Sequence, residues 1–168
     1  MGKFLSATLA LGVLAAGAAN AGTATSSFQV TATVLSTCSA TATAVAFPNY
    51  TPGGGAVTAN GTISVKCTNT SPYTVALNAG SSTGDAFTQR LMTLAAGTAT
   101  LQYNLYTTAG FATVFGDGTG TTAKASGTGA GLATAVNTTV YGQLLDSTAN
   151  QAAAPGSYSD TITVTIAY

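Results

Sequence analysis

The chain has 168 residues and few charged side chains: four Lys or Arg, four Asp, no Glu and no His. A net charge near zero gives no Coulomb attraction for nucleic acid or for an anionic membrane surface. The absence of His removes the side chain that most often transfers protons near neutral pH, which excludes Ser–His and Cys–His catalysis.

Residues 1–21 are predicted to be a secretory signal peptide. Lys3 gives a positive start, residues 4–18 form an apolar run of mostly small side chains, and Ala19-Asn20-Ala21 is a small-x-small cleavage site. A retained membrane anchor is the alternative, but the run is short for a span of about 20 apolar residues. Cleavage after Ala21 leaves residues 22–168, with three basic and four acidic residues and a length that suits one domain.

The first stretch after the leader with a clear pattern is FQVTATV, residues 28–34. Phe28, Val30, Ala32 and Val34 share one parity, and polar residues occupy the other. This period of two predicts a strand with one buried face. The buried face could fill the core of its own domain or that of another molecule, and periodicity alone favours its own domain.

Cys38 follows this stretch closely, and Cys67 is the other cysteine of the chain. Two cysteines in an exported protein predict one disulfide bond, with two free thiols as the alternative. Two cysteines without His cannot form a structural zinc site.

The rest of the chain predicts an all-β fold. Short runs rich in β-branched and aromatic residues alternate with Gly, Pro, Asn and Asp turns, which favours an antiparallel sandwich or barrel. The Gly-rich residues 116–131 are predicted to be a mobile loop, and residues 91–99 a short helical turn or loop around a brief strand. The predicted strands are residues 39–47, 61–67, 73–77, 92–94, 101–106, 136–144 and 161–168.

Motifs for catalysis are weak, so we do not expect an enzyme. Residues 80–84 read GSSTG, which fits G-x-S-x-G, but a nucleophile elbow needs a strand-to-helix turn and a His base. The four Asp residues lie far apart in sequence, mostly in turn contexts, and are read as solvated loop residues. No catalytic, metal or cofactor site is predicted.

Several stretches, taken in order, resemble the spore coat protein U domain, the pilin domain of archaic (Csu-type) chaperone–usher pili. The resemblance covers nearly all of residues 22–168. One departure lies at residues 47–50, FPNY, where the family more often has Gly after the Phe; we expect it to change a local turn and leave the assembly surface alone. The matching pieces are FQVTATVLSTCSATATAVAFPNYTP, ISVKCTNTSPYTVALNAG, RLM at residues 90–92, LQYNLYTTAG, VFGDG, VYGQL and PGSYSDTITVTIAY.

The resemblance implies an incomplete immunoglobulin-like antiparallel β-sandwich that lacks one strand and is completed by donor-strand exchange. It implies that residues 22–35 are an N-terminal donor-strand extension and that residues 36–168 are the pilin domain. The side chains that it assigns to the groove of a neighbouring subunit are Phe28, Val30, Ala32 and Val34. The C-terminal strand, which borders the groove and is held by the chaperone, presents Ile162, Val164, Ile166 and Tyr168.

The partners that the resemblance implies are identical or related pilin subunits in a head-to-tail polymer, a periplasmic chaperone and an outer-membrane usher. It implies export through the periplasm to a pilus on the cell surface, a structural role in adhesion and biofilm formation, and no cofactor, nucleic acid or small-molecule substrate. The main alternative is a spore-coat or cell-surface coat protein that uses the same domain. A tip adhesin would usually carry an additional receptor-binding domain, and a secreted enzyme would need a nucleophile or metal-ligand set that this sequence does not provide.

Overall fold

A computed structural model describes residues 21–168, so the predicted signal peptide lies outside the described residues except for Ala21. The elements are β1 (Cys38–Ala42), β2 (Val57–Cys67), β3 (Pro72–Leu77), β4 (Arg90–Leu94), β5 (Thr100–Tyr106), β6 (Ala125–Thr128), β7 (Val136–Leu144), α1 (Thr148–Gln151), β8 (Tyr158–Ser159) and β9 (Val164–Ala167).

The strands form two antiparallel sheets. The larger sheet has the order β1-β2-β7-β5-β4-β8, and the smaller has the order β6-β3-β9. The chain leaves the larger sheet after β8 and enters the smaller one at β9, so its last ten or so residues belong to both. This arrangement confirms the predicted all-β, immunoglobulin-like antiparallel sandwich.

Alternating side chains of the central strands build the core between the two sheets. In β2, Ile63, Val65 and Cys67 are buried, and the residues between them are more exposed. The same alternation recurs in β3 and β7. The buried apolar residues are Ile63, Val65, Cys67, Tyr73, Val75, Leu77, Leu101, Tyr103, Leu105, Phe115, Val140 and Leu144.

One charged side chain, Arg90 on β4, lies in this core with 0 % of its surface exposed. Its guanidinium donates hydrogen bonds to Asn104 Oδ1 at 2.6 Å, to the Asn78 carbonyl at 2.7 Å and to the Phe115 carbonyl at 2.8 Å. Burial lowers the pKa of Arg90 from its usual value. Arg90 thereby fastens β4 to β5 and to two chain segments that follow β3 and β5.

Five of the predicted strands correspond to β2, β3, β4, β5 and β7, with boundaries that differ by up to four residues. The predicted strand over 39–47 ends at Ala42, and the one over 161–168 is confined to Val164–Ala167. The prediction of a loop over 116–131 is wrong at Ala125–Thr128, because these small residues pair with β3. Helix α1 and β8 were not predicted.

Residues 28–34 form no regular secondary structure in this chain, which contradicts the prediction of a strand within its own domain. Their apolar side chains are almost fully exposed: 88 % for Phe28 and 83 % for both Val30 and Val34. A single extended segment has no partner for its backbone N–H and C=O groups unless a sheet edge pairs with it.

Candidate functional site

Two sheet edges that lack a partner border an open groove. β1 pairs with β2 alone, from Cys38↔Cys67 to Ala42↔Ile63, and β9 pairs with β3 alone. Within residues 21–168, no strand pairs with the other edge of β1 or of β9. The backbone groups along these edges are available to an added strand.

The smaller part of the groove, called the narrow part below, is a cavity of about 370 Å³. One wall is the segment after β1, residues 42–47, and the other is the segment from β8 into β9, residues 158–164. The floor is apolar and belongs to the core. Its residues are Ile63, Leu77, Met92, Tyr103, Leu105 and Val140.

The larger part, called the wide end below, is a second cavity of about 630 Å³ that adjoins the first. Both cavities are lined by Val45, Phe47, Met92 and Tyr158, so they form one continuous depression. The walls of the wide end are residues 45–52 and 153–158, and its floor includes Leu101 and Leu144.

Glycines in the sheet set the position of the first wall. A Cβ on Gly61 would lie 2.8 Å from Val45 Cγ2, and a Cβ on Gly142 would lie 2.5 Å from Val45 Cγ1. Both separations are too short for carbon atoms, so only glycine at these two positions lets Val45 pack directly on the sheet. The Thr43 amide also donates to the Thr62 carbonyl at 2.9 Å, which fixes the start of the wall.

Tyr103 spans the floor between the two walls. Its ring packs edge-on against Phe47 with centroids 6.1 Å apart, and its hydroxyl donates to Asp160 Oδ2 at 2.6 Å. Burial, followed by the hydrogen bond to Asp160, raises the pKa of Tyr103 well above its usual value. The protonated phenol therefore acts as a structural link across the groove.

Asp160 lies where the chain passes from one sheet to the other. Its Oδ1 accepts hydrogen bonds from the Ser81 amide at 2.9 Å and from the Thr161 amide at 2.7 Å. The structure brings Asp85 close by, since a Cβ on Gly80 would collide with both carboxylates. Asp85 accepts from the Leu91 amide at 2.7 Å. Both carboxylates are partly exposed, as predicted for loop Asp residues, and they also hold loops together.

Asp146 fixes one wall of the wide end. It accepts hydrogen bonds from the Tyr50 hydroxyl, the Gly53 amide at 3.1 Å and the Gly55 amide at 3.0 Å. The hydrogen bond from Tyr50 and those from the two amides hold the pKa of Asp146 below its usual value. Partial burial and the bond to Asp146 raise the pKa of Tyr50 to about 12.

The structure places the predicted site residues in three environments. Cys38 and Cys67 form the predicted disulfide at the start of the β1–β2 pair. Ile162, Val164 and Ile166 are half-buried, the first two in the wall of the groove, and Tyr168 is 60 % exposed beyond the end of β9. Residues 22–35, called the arm from here on, are all exposed. The assignment of Ala32 and its neighbours as a donor strand stays a prediction.

Sequence reasoning missed the polar residues that shape the groove, namely Tyr50, Tyr103, Asp146 and Asp160. The departure from the family at residues 47–50 lies in the lining of the wide end, which includes Phe47, Pro48, Asn49 and Tyr50. Its effect on an assembly surface stays a prediction. No local sequence pattern predicts these roles, because the Tyr50–Asp146 and Tyr103–Asp160 hydrogen bonds join residues 96 and 57 positions apart.

In the part of the chain that the structure covers, no cluster of three His, Cys, Asp or Glu side chains could hold a metal ion. Over the same residues, no helix has the length and apolar character needed to cross a membrane.

Comparison with solved structures finds a similar fold in a complex from Acinetobacter baumannii, described as the CsuC–CsuE chaperone–tip adhesion subunit pre-assembly complex from archaic chaperone–usher Csu pili. The TM-score is 0.57 at 22 % sequence identity. The match covers 81 % of this chain but 41 % of that one, so this chain spans less than half the length of its neighbour. Comparison with curated protein sequences gives no match.

The sequence profile described as Spore Coat Protein U domain matches residues 24–165, which is most of the chain. It covers the exposed arm, the disulfide and both walls of the groove. This chain therefore belongs to the Spore Coat Protein U domain family.

Proposed function

We propose that this protein is a structural subunit of a chaperone–usher surface pilus, polymerised by donor-strand complementation, that supports adhesion and biofilm formation. One observation carries the proposal: the same chain has an open apolar groove beside an unpaired strand edge and a separate, exposed segment with the alternating pattern of a strand. Each feature needs a partner, and a second copy supplies the complement of each.

Residues 22–35 are the proposed donor strand, and residues 36–168 the domain that receives it. Fourteen extended residues reach about 46 Å at 3.3 Å per residue. Burial of Phe28, Val30 and Val34 would contribute about 5–9 kcal/mol before ordering costs, with Ala32 adding less. Backbone hydrogen bonds to the edge of β9 would set the pairing, and alternate side chains would fill the two cavities.

Such a contact is head-to-tail, because the arm of one subunit enters the groove of the next. Repetition of a head-to-tail contact that does not close gives an open filament. The low charge of the chain adds little electrostatic repulsion between neighbours.

The groove is also a hazard before assembly, because an exposed apolar cleft with an open strand edge promotes aggregation. We therefore propose a periplasmic chaperone that covers the groove by contacts with Ile162, Val164, Ile166 and Tyr168, and an outer-membrane usher at which the arm of the next subunit replaces it. The chaperone in the similar Csu complex supports this partner. The proposed route is export through the periplasm to the cell surface, without a catalytic step.

The test uses the full chain, produced with its chaperone and usher, and compares two matched pairs of substitutions in the arm. Phe28→Asp with Val30→Asp places charges on the apolar parity, and we expect filaments on the cell surface to disappear from electron micrographs. Gln29→Asp with Thr31→Asp adds the same charge on the polar parity and should leave filaments in place. Deletion of residues 22–34 should match the first pair; normal filaments after that deletion would refute the donor-strand assignment.

A spore-coat or cell-surface coat protein is the second candidate, favoured by the description of the family. Both functions use the same polymerising contact. Deletion of the proposed usher separates the two functions, because a pilus subunit would then stay in the periplasm, whereas a coat protein would still reach the surface.

A further inference from the structure

A single carboxylate, that of Asp146, anchors the loop that continues the first wall of the wide end. Asp146 follows Leu144, a floor residue at the end of β7, by two positions. Its carboxylate accepts the Tyr50 hydroxyl and two amides from the loop that continues the first wall. Gly53 and Gly55 have φ angles of +79° and +96°, a left-handed conformation that glycine adopts without strain and that turns both amides towards the carboxylate.

The main chain at Asp146 is also joined to the opposite wall. Its carbonyl accepts a hydrogen bond from Gln151 Nε2 at 3.3 Å, at the end of α1. Ser147 caps the start of this helix, with its Oγ accepting from the Asn150 amide at 3.2 Å. The chain then continues directly into residues 153–157, which form the second wall. The carboxylate of Asp146 therefore holds the first wall, and its main-chain carbonyl bonds to the helix that precedes the second wall.

The cavity between these walls suits an aromatic side chain. It is larger than the narrow part, so it has more room for a ring. Phe47, Tyr158 and Met92 line both parts, and Tyr50 is the third ring at the wide end, where Tyr103 is the third ring of the narrow part. Aromatic rings at such a site gain from edge-on and offset contacts in addition to area burial, and methionine makes favourable contacts with ring edges. In the arm, Phe28 is the one aromatic residue and the most exposed large apolar side chain.

We propose that Asp146 is a positioning residue that shapes the wide end of the groove as an aromatic subsite, and that the side chain it receives is Phe28 of a second copy. This inference rests on the proposed function, since it presupposes that the arm enters the groove. It adds that the Tyr50–Gly55 loop, through Asp146, determines which side chain is accepted at the wide end.

The experiment measures binding of a fluorescent peptide of residues 22–35 to the full-length chain carrying Phe28→Asp, whose own arm should not assemble. In this background we expect the Phe28→Ala peptide to bind about 30-fold more weakly than the unchanged peptide, as removal of a buried aromatic group predicts. When Asp146→Ala is added to the protein, the affinity difference between the unchanged and the Phe28→Ala peptides should fall below about fivefold. A Val34→Ala peptide should lose affinity by the same factor in the proteins with and without Asp146→Ala.

Asp117→Ala is the matched control. Asp117 also anchors a glycine-containing loop, with its Oδ1 accepting from the Thr119 amide at 2.9 Å, but no residue of that loop lines either cavity. This variant should keep the full discrimination between the two peptides. Asp146→Asn retains one oxygen acceptor, and Tyr50→Phe removes one donor. In both variants the affinity ratio of the unchanged peptide to the Phe28→Ala peptide should be intermediate, which keeps the test available if Asp146→Ala does not fold.

The outcomes separate the two proposals. If the unchanged peptide does not bind the background protein at all, the donor-strand assignment fails, and this inference fails with it. If the unchanged peptide binds but the Phe28→Ala penalty is the same with and without Asp146 and Tyr50, the donor strand stands and the role of Asp146 is refuted.

Discussion

The arm at residues 28–34 and the C-terminal segment at residues 161–168 have nearly the same sequence pattern but different structures. Both place apolar residues at alternate positions and Thr between most of them. In the C-terminal segment, Ile162, Val164 and Ile166 are half-buried, and Val164–Ala167 pairs with β3. In the arm, the corresponding side chains are exposed and no strand forms.

The difference shows that a period of two specifies a face but does not supply the sheet edge that covers it. β9 has β3 as a partner, and the pairing extends past its start through the Asn78 amide, which donates to the Thr163 carbonyl at 3.1 Å. The arm has the same alternating pattern, but it pairs with no strand edge among the described residues. If its edge belongs to another molecule, substitutions in the two segments should act on different properties: fold stability in one, assembly in the other.

The largest effect should come from Arg90, which supports the partner of the C-terminal segment. Arg90→Met would leave the Asn78 and Phe115 carbonyls without their donors, while Asn104 Oδ1 would keep the hydrogen bond from the Leu105 amide. We expect the free energy of unfolding to fall by about 2–6 kcal/mol, because each of the two unsatisfied acceptors costs about 1–3 kcal/mol. Denaturant unfolding of the full chain in the Phe28→Asp background would measure this loss.

Lys124→Met removes an exposed cation and should change stability by less than about 0.5 kcal/mol. Hydrogen exchange would then locate the damage from Arg90→Met, since the Thr163 amide donates to Asn78 Oδ1 at 2.8 Å and should lose protection. Equal stability of the Arg90→Met and Lys124→Met variants would show that Arg90 does not anchor the sheet.

A smaller effect on stability should distinguish the C-terminal segment from the arm directly. Val164→Asp puts a charge in the half-buried wall of the groove and should destabilise the chain by about 2 kcal/mol. Val30→Asp, the same change in the arm, should alter the free energy of unfolding by less than about 0.5 kcal/mol while it abolishes assembly. Thr165→Asp, on the exposed parity of β9, is the control for added charge in the same strand.

If Val30→Asp lowered the stability of the non-assembling chain as much as Val164→Asp does, the arm would be filling its own domain. That result would remove the distinction between the two segments.

The smallest effect should come from Tyr73 on β3, the strand that pairs with β9. Its hydroxyl is buried, and no group in the described chain forms a hydrogen bond with it. Burial raises its pKa. Tyr73→Phe removes an unsatisfied polar atom, so the free energy of unfolding should stay within about 0.5 kcal/mol or rise by up to about 1 kcal/mol.

Tyr103→Phe makes the same chemical change at a hydroxyl that bonds to Asp160, and should cost about 1.5–3 kcal/mol. Equal losses at the two tyrosines would mean that Tyr73 has a partner in solution.

Much of the fold could be predicted from local pattern. The alternation in residues 63–67, 73–77 and 140–144 predicts strands in which every second side chain belongs to the core. A strand that is buried on one face needs apolar side chains at every second position, so its sequence contains the pattern. β6 could not be predicted in this way, since Ala125–Thr128 has the composition of a loop and is a strand only because β3 offers it an edge. β8 has two residues, too few for a period.

The site could be predicted only in part. The cysteine pair and the C-terminal strand are visible in the sequence. The links across the groove are not, because Tyr50–Asp146 and Tyr103–Asp160 join distant residues whose types are ordinary for loops and strands.

By itself, the sequence determined the strand class of the fold, the disulfide and the apolar face of the arm, since these follow from residue type and spacing along the chain. Only the tertiary structure decided that the outer edges of β1 and β9 find no partner among residues 21–168, and that a groove with one narrow and one wide part lies between them. The reason is physical: a hydrogen-bonded edge and a cavity are properties of segments brought together from across the chain, and no single segment contains them.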